Sequence, residues 1–118
     1  MAFFFDRREP NVSRLYGALR EFWGGSPPGI AGGEELAHPG LVLQYGVPPN
    51  RIDLINDIDG VGFDEAWLNR IEATIQTDAG VIPVHYLGLR ELIRNKEASG
   101  RPKDLDDLAY LRGSTSDR

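Results

Sequence analysis

Apolar residues recur along this chain in two rhythms, and each change of rhythm marks an element. Phe3, Phe4 and Phe5 form a short apolar run suited to a pleated surface, so they predict a strand. After Pro10 the period lengthens. Val12, Leu15, Leu19 and Phe22 fall on one helical stripe, widened by Tyr16 and Trp23, and Gly24-Gly25 ends it. Gly24 to Gly33 is irregular, and one helical turn is expected from Gly33 to His38. Period two then returns. Leu41, Leu43 and Tyr45 alternate with Val42 and Gln44. Pro48-Pro49-Asn50 turns the chain, and Ile52 and Leu54 alternate with Arg51, Asp53 and Ile55. Asp57 and Asp59-Gly60 read as turn material, and Phe63 to Arg70 as a short helix opened by Asp64 and Glu65. Ile71, Ala73 and Ile75 share a strand face. Thr77-Asp78-Ala79-Gly80 is a hairpin turn, and Val81 to Val84 returns as a strand that Pro83 restricts to an edge.

The last third is helical. Leu89, Leu92 and Ile93 repeat at helical spacing, Ser99-Gly100 interrupts, Pro102 suits a first turn, and Leu105, Leu108 and Ala109 resume. These spacings put Trp67, Leu89, Leu92, Ile93, Leu105 and Leu108 on inward faces of one core. The order of elements predicts an α+β fold, a mixed sheet flanked by helices and closed by a C-terminal helical hairpin. A length of 118 residues suits a single domain over 1–112, with 113–118 as a frayed tail.

Composition removes several classes of function. The chain has no cysteine, which excludes disulfides and thiolate metal sites. A net charge of -5 argues against broad nonspecific nucleic-acid binding. No apolar run approaches membrane-spanning length, and the N-terminal charges follow the apolar residues, the wrong order for a secretory signal. A cytoplasmic location is therefore expected. His38 and His85 lack metal-ligand spacing, and no Walker loop or nucleophile elbow is present. Tyr45, Tyr86, Trp23 and Trp67 read as core or interface residues, since no basic stripe accompanies them.

Against the acidic background, Lys96, Arg101 and Lys103 crowd one corner of the tail. The plain reading is a solvated helical hairpin, with Lys96 at a helix C-terminus and Asp104, Asp106 and Asp107 near an N-terminus, as helix dipoles favour. The whole string adds to it. Lys96 and Ala98, followed by Gly100-Arg-Pro-Lys-Asp-Leu-Asp-Asp-Leu108, resemble the closing motif of nucleotidyltransferase-like proteins, the minimal nucleotidyltransferases and AbiEii-type toxins. Pro48 to Ile55, Ile58 to Val61 and Phe63 to Trp67 resemble the same family, in the same order.

The resemblance implies transfer of a nucleoside monophosphate from an NTP to a hydroxyl, with Mg²⁺ between carboxylates and triphosphate. It makes Asp53 the third carboxylate, and so a metal ligand, and Lys96, Arg101 and Lys103 phosphate contacts. Arg51 projects from the face of Asp53, which leaves a simple Arg–Asp pair as the other reading. The family's Gly-Gly-Ser/Thr turn and Asp-x-Asp pair have no counterpart: Ala2 stands where the second Asp belongs, and Asp6 lies too far along the strand. Gly24-Gly25-Ser26 has the letters of the turn but opens no helix. A shortened domain with impaired transfer and at most weak Mg²⁺ binding is expected. Its rival is a catalytically silent binding or assembly module, such as an antitoxin-like partner of a larger protein. Phe3-Phe4-Phe5 would be short of cover, so a homodimer is expected.

Overall fold

The computed structural model describes residues 1–116. The fold is α+β, as the two rhythms predict. The chain gathers into two compact units, Met1–Ile58 and Asp59–Arg118.

The first unit holds β1 (Ala2–Phe4), α1 (Asn11–Trp23), a 3-10 turn (Gly33–Ala37), β2 (Val42–Tyr45) and β3 (Ile52–Ile55). Its sheet has the order β1-β3-β2. β1 runs parallel to β3 with Ala2 opposite Asp53, and β2 runs antiparallel to it with Leu43 opposite Leu54. Parallel neighbours need a crossover, and α1 lies within it. Phe5, Val12, Leu19, Leu36 and Leu43 form the core, with Leu15, Tyr16 and Leu54 packed against it. The stripe on α1 departs from expectation at its end. Phe22 is 78% exposed, whereas Trp23 rests on Tyr45 with ring centroids 5.2 Å apart. At 3.6 residues per turn, position 23 lies about 20° around the axis from Val12 and position 22 about 80° away. Gly24 then closes the helix in the left-handed region.

The second unit holds α2 (Phe63–Leu68), β4 (Ile71–Thr77), β5 (Gly80–Tyr86), α3 (Leu89–Ser99) and α4 (Pro102–Ser116). β4 and β5 are an antiparallel hairpin with Thr77 opposite Gly80 and Thr74 opposite Pro83. The end of the expected frayed tail, residues 117 and 118, lies outside the described residues. Val61, Ala66 and Leu108 are buried here, but Trp67 and Leu105, both expected inside, are about half exposed. The reason at Leu105 is Asp104, only 1% exposed. Asp104 and Leu108 are one helical repeat apart on the face of α4 that is buried, and Leu105 lies about 100° around from Asp104. A carboxylate holds the inward position that the apolar pattern assigns to a leucine.

Candidate functional site

The cations of the tail are organised around Asp104. α3 ends at Gly100, whose left-handed φ of 63° lets its N–H reach the carbonyl of Lys96. That turn brings the last residues of α3 over the first turn of α4. Lys96 Nζ donates to Asp104 Oδ1 at 3.0 Å, and Arg101 Nε donates to Oδ2 at 2.7 Å. The Ser99 hydroxyl also donates to Oδ2. Lys96 Nζ lies 3.1 Å from Asp107 Oδ2 as well. The Ser99 hydroxyl, then Arg101 and Lys96, hold the Asp104 carboxyl far below the usual carboxylate range, against the opposing effect of burial. Asp104 and then Asp107 raise Lys96 in turn.

Two cations thus face two carboxylates, and the cluster is neutral. The Lys96 side chain is 21% exposed, whereas that of Arg101 is 75% exposed and Lys103 lies on the surface. The chemistry of this arrangement is first that of a clasp joining α3 to α4. An incoming anion meets Arg101 and Lys103, while Lys96 is committed to Asp104 and Asp107.

Asp53 belongs to the first unit. Its side chain is 15% exposed, with Arg51 Nε 3.0 Å from Oδ1 and Nη2 3.3 Å from Oδ2. Oδ1 is buried and has no well-aligned hydrogen bond. Its backbone N–H donates to the carbonyl of Met1 at 2.8 Å, which fixes its register beside Ala2. Asp6 is held by Arg8, Nε to Oδ1 at 2.9 Å, and the guanidinium lowers its carboxyl pKa. His85 packs edge-on against Trp67. Mg²⁺ takes oxygen ligands from one or two carboxylates together with substrate phosphates. Among the described residues no three His, Asp or Glu side chains are grouped to hold a metal, and the neighbour of Asp53 is a cation. By themselves these residues do not fit the ion.

Several organising residues escape pattern reading. Asn56, 4% exposed, donates to the carbonyls of Leu36 and His38 at 2.9 and 2.6 Å and accepts from Leu41 N at 3.0 Å. It ties the 3-10 turn and the entry to β2 onto the end of β3. Glu91, also 4% exposed, accepts from Asn69 Nδ2 at 2.8 Å. Its position in the first turn of α3, where a carboxylate faces free N–H groups, is its only signal in the sequence. An open cleft of about 510 Å³ borders it, lined by Glu65, Asn69, Arg94 and Glu97 among others. Glu65 and Arg94 are ion-paired across it. The strings around Gly60 and Ala98, far apart in sequence, also meet. Asn95 Nδ2 donates to the carbonyl of Asp59 at 3.0 Å, and Gly60 lies against Ala98.

Comparison with protein-family models, with curated proteins and with solved structures gave no match. Among the described residues no helix is long and apolar enough to cross a membrane.

Proposed function

We propose that this chain is a nucleotidyltransferase-like module that binds and assembles, and that it does not transfer nucleotides efficiently by itself. One observation carries the reading. Asp53, the carboxylate to which the family resemblance gives the metal, sits beside Ala2 on a parallel neighbour and is ion-paired with Arg51. The placing of Asp53 directly beside Ala2, where the resemblance puts the second Asp, supports the likeness. The pairing with Arg51 supports the loss of chemistry. Transfer depends on preorganised charge at the attacking and leaving oxygens, and a carboxylate neutralised by its own neighbour supplies little of it. The anion-binding part of the inherited function falls to Arg101 and Lys103, whose charges are exposed. Its partners in the assembly role are a second copy or a larger protein.

The test incubates the purified chain with labelled NTPs, Mg²⁺ or Mn²⁺ and a cell extract, beside Asp53→Asn. The expected result is equal, background labelling in both. ATP is expected to move the amide resonances of Arg101 and Lys103 more than that of Lys96, with the shifts fading as salt rises. Labelling that disappears in Asp53→Asn overturns the reading and restores the enzyme.

A further inference from the structure

β4 and β5 make a two-stranded sheet, and the outer edges of its two strands differ. The register Thr77 to Gly80 around a two-residue loop makes that pair hydrogen-bonded, and bonded pairs alternate with non-bonded ones along an antiparallel ladder. Ile75 with Ile82, Ala73 with Val84 and Ile71 with Tyr86 are therefore bonded pairs too, their backbone groups directed across the ladder. Glu72, Thr74 and Gln76 turn their backbone N–H and C=O groups outward, and so do Val81, Pro83 and His85 on β5. Pro83 has no N–H to offer, which blunts the β5 edge at its centre. The β4 edge has all three donors, and among the described residues no further strand pairs with it.

We propose that the free edge of β4 pairs antiparallel with β4 of a second copy, about a two-fold axis at Thr74. The proposal deepens the assembly reading above and rests on it. The strand is complementary to itself. Thr74 is the middle residue of Ile71–Thr77, so this axis overlaps all seven residues. Thr74 meets Thr74, Glu72 meets Gln76, and Ala73 meets Ile75 on the apolar face, pairings that stabilise sheets. Beyond the strand, Arg70, which lies over the Trp67 ring and is ion-paired with Glu72 at 2.7 Å, falls opposite Asp78 of the second copy at both ends, so its guanidinium faces a second carboxylate there. Moving the axis to Ile75 sets Glu72 against Asp78, and moving it to Ala73 removes the Arg70–Asp78 pairing. The occupant best matched to this edge is thus the edge itself, in a four-stranded sheet of order β5-β4-β4-β5.

The chain has no cysteine, so a single introduced thiol reports the register. Thr74→Cys and Gln76→Cys are oxidised with oxidised glutathione at low micromolar concentration and resolved on a non-reducing gel. In the proposed register the two thiols introduced at position 74 are within disulfide reach, whereas the two copies of position 76 are roughly 13 Å apart. Disulfide dimer is expected to form at least tenfold faster from Thr74→Cys. Equal rates, or dimer from neither, overturn the proposal. Sedimentation velocity supplies a second measurement. Thr74→Pro removes an outward N–H and no ladder bond, and is expected to convert the dimer to monomer, while Val81→Pro on the other edge leaves it a dimer. A monomeric parent chain, a dimeric Thr74→Pro or a monomeric Val81→Pro each overturns it. None of these results bears on NTP labelling, so failure of the edge pairing is separable from failure of the proposed function.

Discussion

Gly60 has a φ of +77°, and a Cβ built on it would stand 2.8 Å from the Ala98 Cβ and 3.2 Å from the Arg94 carbonyl oxygen. Gly60→Ala therefore meets two penalties. An L-residue in the left-handed region costs about 1–2 kcal/mol. Gly60 and Ala98 are both exposed, so the new carbon is relieved by a shift of the turn at about 1–2 kcal/mol, the lower part of the range for a packed core, and neither neighbour is the far end of a flexible side chain. Stiffening the unfolded chain recovers about 0.5 kcal/mol. The expected net loss is about 1.5–3.5 kcal/mol. The assay is urea denaturation followed by the fluorescence of Trp67 in a Trp23→Phe background, so that the second unit alone is read, with the slope m unchanged. Ala98→Gly costs up to about 1 kcal/mol alone. In the double variant it removes the Cβ contact and leaves the φ penalty, so a coupling of about 1–2 kcal/mol is expected. A loss below about 0.5 kcal/mol, or strict additivity, would refute the contact between the Asp59-Gly60 turn and α3.

Two further outcomes follow from the clasp. Asp104 has a lowered native pKa, so its stabilisation is complete above the unfolded carboxylate value of about 3.9 and is lost as pH falls through the native value. Melts of the second unit should lose stability in acid below about pH 4, and Asp104→Asn should flatten that limb while lowering stability at neutrality; an unchanged acid limb would place the titration elsewhere. Leu108→Ala should cost about 2–4 kcal/mol and Leu105→Ala under about 1 kcal/mol, because only the first is buried; equal losses in denaturant melts would contradict the assigned face of α4.

The string of the tail that carries the proposed likeness acquires a physical meaning in this arrangement. Lys96, Arg101, Asp104 and Asp107 are bound to one another in the clasp, and Ala98 is small where Gly60 approaches. Much of what made the tail resemble a phosphate site is accounted for by the joining of two helices. Exposed Arg101 and Lys103 are the part that an anion can reach.

The positions of the elements are written in local properties of the chain. Period, Gly and Pro are such properties, so α1, the β4–β5 hairpin and the break at Gly100 are legible without knowledge of any contact. Pro83 marks an edge, and the ladder shows why: the N–H it lacks would point outward. Asp53 and Arg51 are also legible as a pair, being two residues apart on one strand face. Which faces turn inward, and which charges are neutralised, depends instead on contacts between residues that the sequence separates. The apolar pattern cannot see that a carboxylate with three donors around it is stable inside, so it assigns to Leu105 the place that Asp104 holds. It cannot see the buried roles of Asn56 and Glu91, whose partners are 15 or more residues away. Nor can it tell a free lysine from one already neutralised. Lys96 has the sequence context of a phosphate contact, yet Asp104 and Asp107 both lie on it, because electrostatic partnership depends on distance in space, and the turn at Gly100 sets that distance.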